Sequence, residues 1–233
     1  MTKIRVMVFP GAHNLPLYLM DGLEIIYTKS RNEQIAAIQN GDVDIIHTSP
    51  DNLRLEDAKS LIPFLSGSVG PLSMMCTDPT IPFHTLAVDS AKSGFSTLAY
   101  DFLAKKWGSV SYDILEVGGT PQRLEAMKNN YASLAVMHPP FTQYAEMAGF
   151  KNLGRVGSEN SVTLCGVYKN GSSKSLLSYY REQYRSAIEI LSGEDGEITS
   201  ESLIAEHIDL PSDLLKSVAK VMRAAIVSAG VDC

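Results

Sequence analysis

The sequence predicts a two-lobed α/β protein in which each lobe is a mixed sheet flanked by helices and the chain crosses between lobes twice. Three observations predict it. Short apolar runs alternate with helix-period segments along most of the chain; a helix, turn and strand beginning at Asn32 is echoed by another beginning at Pro121; and the 233 residues exceed the roughly 100 to 150 typical of one domain.

Ile4 to Phe9 reads as a strand that stops at Pro10-Gly11, and Leu23 to Tyr27 as a second strand. Glu33 to Gln39 has helical periodicity and leads through Asn40-Gly41 into Val43 to Ile46, which is βαβ order. The apolar segments Leu61 to Leu65 and Leu72 to Cys76 precede DPTIPFHT, whose prolines oppose helix and mark a crossover. In the second unit Leu86 to Val88 reads as a strand, and a helix from about Gly94 to Lys106 puts Phe95, Leu98 and Phe102 on one face. Ile114 to Val117 is the next strand, followed by a helix with Thr120 as N-cap and Pro121 at its first position, then a strand at Ser133 to Met137.

Val162 to Tyr168 reads as a strand returning to the first lobe. The segments Ser173 to Leu191 and Ser212 to Val227 carry apolar stripes, Tyr180, Tyr184 and Leu191 in one and Val218, Met222 and Ile226 in the other, that face a core. The expected organisation is residues 1–83 plus 160–233 as the first lobe and the inserted residues 84–159 as the second.

The echo is imperfect. With NEQIAAIQNGDVDIIHTSP laid on PQRLEAMKNNYASLAVMHPP at a constant offset, Ile35 falls on Leu124, Ile38 on Met127, Asn40 on Asn129 and Ile45 on Leu134. The histidines of the two segments, His47 and His138, fall two positions out of register.

Composition excludes several classes. A net charge of −6 with no basic stripe argues against nucleic acid or an anionic membrane as partner. MTKIRVMVFPG loses its apolar run too early for a signal peptide and reads as a strand, and no apolar stretch approaches the roughly 20 residues that span a bilayer. The expected location is therefore cytoplasmic, or periplasmic or lipid-anchored if an export signal has been removed. Cys76, Cys165 and Cys233 are too far apart for a metal site or a disulfide framework; the first two are expected to be buried and the last exposed. There is no phosphate-binding loop with lysine, EVGGT lacks the full dinucleotide glycine pattern, and no G-x-S-x-G elbow occurs, so no cofactor is expected.

The opening strand with PGAHNLPLYL, then QIAAIQNGDVDIIHTSPDN, VDSAKSGFSTLAYDFL, EVGGTPQRLEAMKNN and AVMHPPFTQYAEMAGFKNLG, together resemble the type 2 periplasmic-binding-protein fold. The resemblance is to the branch that holds the nitrate, sulfonate and taurine solute-binding proteins and the thiamine-pyrimidine synthases. It implies two lobes closing over a small organic anion, a carboxylate or sulfonate, with a transporter permease as partner if the protein is exported. The synthases' cysteine-rich iron segment has no counterpart here, so that activity is not expected.

In open α/β sheets, ligands bind beyond the carboxyl ends of strands, where helix amino termini offer N–H groups to anions. The candidates at such places are Pro10, His13 and Asn14; Ser49, Pro50 and Asp51; Ser93, Gly94 and Phe95; Gly119 and Thr120; and His138 and Pro140. Ser49, Asp51, Ser93 and Thr120 also suit simple helix capping, Phe95 suits a core, and Asp89 suits a hinge. His13, His47 and His138 follow or end strands of different units and could bond an anion, move a proton or hold a metal; their spacing is too long for a local zinc motif. Two functions follow: a solute-binding protein for a small organic anion, or an enzyme on the same fold, a decarboxylase, isomerase or lyase using histidine acid and base chemistry on a small carboxylate.

Overall fold

Two sheets repeat one winding pattern. The computed structural model describes residues 3–80, 84–108, 111–158 and 161–231; Cys233 and the middle of the predicted proline crossover lie outside them. Strands β1 (Ile4–Val8), β2 (Leu23–Tyr27), β3 (Ile45–Thr48), β4 (Leu61–Val69) and β5 (Ser73–Cys76) are followed by β6 (Thr85–Val88), β7 (Asp113–Glu116), β8 (Leu134–Met137), β9 (Lys151–Arg155) and β10 (Val162–Lys169). The helices are α1 (Leu15–Tyr18), α2 (Arg31–Asn40), α3 (Gly94–Trp107), α4 (Thr120–Lys128), α5 (Phe141–Met147), α6 (Lys174–Ser192), α7 (Gly196–His207) and α8 (Ser212–Ala229). None of the described helices is long and apolar enough to cross a membrane.

The first sheet has the order β2-β1-β3-β10-β4 and the second β7-β6-β8-β5-β9. In each, three parallel strands are joined by an antiparallel fourth that arrives from the other half of the chain: β10 beside β3, and β5 beside β8. This corrects the expected boundary at residue 83, because Ser73–Cys76 belongs to the second sheet. An apolar run reads alike whichever sheet buries it; Leu72, Met74 and Cys76 pack into the second lobe's core. The chain turns earlier, at Gly70 with φ 52°, a left-handed conformation that glycine takes without a Cβ clash. The two crossing segments are tied together: Gly70 N–H donates to the Ser161 carbonyl (3.2 Å) and Val156 N–H to that of Leu72 (2.9 Å).

Strand alternation divides each core. On the first sheet Val6, Val8 and Ile45 face Tyr180, Tyr184 and Met222 of α6 and α8, while Met7 and Ile46 face Ile38 of α2. On the second, Leu86, Val88 and Leu134 pack on Leu103 of α3, and Ala87, Ala135 and Met137 on Met127 of α4. Ser30 opens α2 by accepting from the Glu33 N–H at 3.2 Å, and Gly41 at φ 79° closes it, so the chain enters β3 beside β1. The polar edge strand β9 and helices α1, α5 and α7 were not foreseen; β9, α1 and α5 are short, and α7 lacks the apolar stripe of α6 and α8.

Candidate functional site

Beyond the carboxyl ends of β1 and β3 in one lobe and β6 and β8 in the other lies a cavity of about 40 Å³. His13 and Ser49 line it from the first lobe, and Ser93, Phe95, Thr120 and His138 from the second. The structure thus brings these six predicted residues to one hollow. Pro10, Asn14, Pro50, Asp51, Gly94, Gly119 and Pro140 flank those positions in sequence but do not line the cavity. Asn14 is turned back to donate from Nδ2 to the Phe9 carbonyl (2.8 Å). The Asp51 carboxylate pairs instead with the exposed Arg54 at 3.1 Å.

The residue that sequence reasoning missed is Arg123. It lines the cavity from α4 and is 3% exposed, a rare situation for a charged group. Its Nη2 donates to Thr120 Oγ1 at 2.6 Å, its guanidinium lies 5.9 Å from the centre of the Phe95 ring, and its Nε has no partner. Burial weakens its hold on the proton while the nearby Asp89 carboxylate strengthens it; an arginine stays charged nonetheless. Thr120 is therefore not the predicted N-cap. Gly119 occupies that position and the threonine hydroxyl steadies the guanidinium. The available signal was the pattern T-P-Q-R, which puts Thr120 and Arg123 on one side of a helix.

Ser93 does cap α3, its Oγ accepting from the Ser96 N–H at 3.2 Å and donating to Asp89 at 2.6 Å. Ser49 makes no cap bond, and its buried Oγ has no partner. Two unpartnered polar groups, Arg123 Nε and Ser49 Oγ, thus belong to residues that line one cavity from opposite lobes. Buried polar groups are ordinarily satisfied.

The lobes meet closely around this hollow. Asn52, held through a 2.8 Å bond from its Nδ2 to Thr48 Oγ1, accepts on Oδ1 from the Gly94 N–H at 2.7 Å. A Cβ on Gly94 would stand 2.6 Å from Ser49 Oγ and 2.8 Å from Asp51 Cβ, so only glycine allows this approach. The His13 and His138 rings come to 4.9 Å between centres, nearly perpendicular at 80°.

Comparison with solved structures follows this geometry. An alkanesulfonate-binding protein, SsuA, from Xanthomonas axonopodis pv. citri bound to MOPS matches with a TM-score of 0.78 at 13% identity, over 100% of this chain and 86% of that one. A Candida albicans protein exhibiting the generic periplasmic binding protein fold matches at 0.74 and 12% identity, over 94% and 81%. The fold is that of the periplasmic binding proteins. The periplasmic nitrate-binding protein NrtA from Synechocystis PCC 6803 shares it at a TM-score of 0.79 and 9% identity, over 95% and 70%. No protein-family model and no curated protein matches the sequence.

In this periplasmic-binding-protein fold the two winding units align at the offset the echo predicted, and that explains the misregistered histidines. His138 follows β8 where Ser49 follows β3, and so reaches the cleft; His47 lies inside β3, where Val136 lies inside β8. It points with Ile45 towards α6, and its Nε2 lies 2.8 Å from the Tyr180 hydroxyl. His47 is therefore a core residue and not a third cleft histidine. Burial lowers the pKa of His13 to about 4, that of His47 to about 3 and that of His138 well below its ordinary value. Cys76 and Cys165 are both buried, with Cys165 Sγ donating to the Thr48 carbonyl at 3.4 Å, and among the described residues no group of three or more His, Cys, Asp or Glu side chains could hold a metal ion.

Proposed function

We propose that the protein is a solute-binding protein that closes its two lobes over a small organic anion, a carboxylate or a sulfonate, without covalent chemistry. The observation that carries this reading is Arg123: a buried guanidinium with an unpartnered Nε, lining the same cavity as the unpartnered Ser49 Oγ of the opposite lobe. An anion bound between them completes both hydrogen-bonding inventories and offsets the buried charge. The sulfonate- and nitrate-binding proteins that share the fold are in accord with an anion.

The moving bodies are taken to be residues 3–69 with 162–231 and residues 73–155, joined by the paired crossing segments. If the protein serves transport, its partner is a membrane permease and its location periplasmic or lipid-anchored. Acid and base catalysis is the weaker reading. A general base works best with a pKa near the working pH, and burial holds both cleft histidines well below that.

The test is calorimetric titration and thermal shift with acetate, ethanesulfonate and their substituted relatives, for the native protein and for Arg123→Met and Arg123→Lys. Binding should weaken at least about 30-fold in Arg123→Met, as expected when a buried charged partner is truncated at a cost of about 2 kcal/mol or more, and Arg123→Lys should recover part of it. Turnover of any probe, or affinity indifferent to Arg123, overturns the proposal.

A further inference from the structure

Two residues that line the cavity from the first lobe, Ser49 and Asn52, sit on one short turn, and two side chains of α2 hold that turn at both ends. The Asn52 N–H closes the turn by donating to the Ser49 carbonyl at 3.0 Å. Before it, Gln34 Nε2 donates to the His47 carbonyl at 2.8 Å and to the Met7 carbonyl at 3.1 Å. The amide thus ties β3 to β1 just where the pairing of the two strands ends, at Met7 and Ile46. After the turn, Arg31 Nη2 donates to the Asn52 carbonyl at 3.0 Å. The guanidinium is fixed in its turn by Asp57, with Nη1 2.7 Å from Oδ2 and Nη2 2.5 Å from Oδ1, a two-pronged pairing that sets orientation as well as energy. Arg31 and Gln34 are buried, whereas Asp57 is exposed.

The repetition of the winding units gives these two positions a meaning. At the offset that lays Ile35 on Leu124, Arg31 falls on Thr120 and Gln34 on Arg123, and all four side chains are buried. In the second lobe the two positions line the cavity themselves; in the first they stand one layer behind it. We infer that Arg31 and Gln34 are positioning residues of the anion site, which act through the carbonyls they hold to set the Ser49 hydroxyl against the cavity and Asn52 against Gly94. This rests on the anion-binding reading of the same cleft and extends it to residues that the ligand does not touch. A hydrogen-bonding group serves a ligand only when its own support is rigid. A turn released at His47 or at Asn52 has to be ordered again as the ligand binds, which weakens binding.

The experiment titrates ethanesulfonate and acetate into the native protein and its variants by calorimetry, at a temperature where circular dichroism shows each one folded. Gln34→Met and Arg31→Met should each weaken binding about fivefold or more, a coupling usual for residues in one hydrogen-bonded network, and Arg31→Lys should recover part of the loss. Two double-mutant cycles separate positioning from general damage. Gln34→Met added to Ser49→Ala, and Arg31→Met added to Asn52→Ala, should each cost only about twofold or less, because the group being placed is already gone. Should the buried variants fail to fold, Asp57→Asn changes only an exposed side chain, removes one prong of the pairing that fixes Arg31, and should still weaken binding about twofold or more. Lower melting temperatures with unchanged affinity, or losses as large in the two cycles as in the native background, overturn the positioning role and leave the anion site standing, as does unchanged affinity in Asp57→Asn. Absence of binding to the native protein, or affinity indifferent to Arg123, removes the anion site and this inference with it.

Discussion

The side-chain oxygen of Asn52 accepts a 2.7 Å hydrogen bond from the Gly94 N–H, so a residue of the first lobe satisfies the opening turn of a helix in the second. One of the orphan donors of α3 is thereby paired only while the lobes are together. Asn52→Ala removes this bond and should cost about 1–2 kcal/mol of stability, seen as a lower melting temperature. It should also increase the radius of gyration in solution scattering as the lobes part. Unchanged scattering would mean that the bond does not govern closure.

Gly94 faces Ser49 and Asp51 too closely for any side chain. Gly94→Ala should therefore hold the lobes apart while leaving each lobe folded. The expected result is loss of ligand-induced thermal stabilisation together with a melting temperature, in the absence of ligand, lowered by no more than a few degrees. Retained ligand response in the alanine variant would contradict the closure described here.

Three of the four acidic or hydroxyl residues expected at helix starts now separate. Ser93→Ala should lose about 1 kcal/mol of stability with its cap. Ser49→Ala should cost little stability, because its hydroxyl bonds nothing in the protein, yet should weaken anion binding. Asp51→Ala should change neither by a measurable amount, since its partner Arg54 is exposed and such surface pairs contribute about 0–1 kcal/mol. Chemical denaturation and calorimetric titration of the three variants check all three statements.

Burial keeps His13, His47 and His138 neutral, the first two with pKa values of about 4 and about 3 against an ordinary 6.5. Unfolding returns each to its ordinary value, so between about pH 6.5 and 4 the unfolded chain binds more protons than the folded one. Stability is then complete above pH 6.5 and is lost as pH falls through that window. Melting temperatures should fall between pH 7.5 and 5, and the fall should be smaller in His13→Phe. A flat profile would place these rings in contact with water.

The bond between His47 and the Tyr180 hydroxyl joins β3 to α6 inside the first lobe's core. Tyr180→Phe removes one hydrogen bond without emptying space and should lower stability by about 1 kcal/mol or somewhat more, as His47 loses its partner. Anion affinity should not change. A large effect on binding would return His47 to the cleft.

What was legible in the sequence and what was not divides along the range of the interactions. Alternation of apolar residues, Ser30 and Gly41 at the ends of α2, and the constant offset between Ile35 and Leu124 are local patterns, and they suffice to identify the units and their repetition. His13, Ser49, Ser93 and His138 were found because each follows a strand or opens a helix, and the open-sheet rule sends such positions to one side. Arg123 was not found, because a charged residue in a helix is ordinarily a surface residue; only the packing of Thr120 and Phe95 around it reveals its burial. His47 was misplaced because one step along a strand reverses the direction of a side chain, and the position of the strand end was displaced in reading.

The sequence by itself determined the two-lobed α/β architecture, the repetition of its units and the strand ends at which a ligand could be held, since backbone propensity and residue periodicity act over a few neighbours. The tertiary structure alone decided that β5 joins the second sheet, that Arg123 is enclosed, that Asn52 reaches Gly94 across the cleft and that two histidines meet where three were expected. Those outcomes depend on which surfaces exclude water together, a property of residues brought close in space from distant positions in the chain.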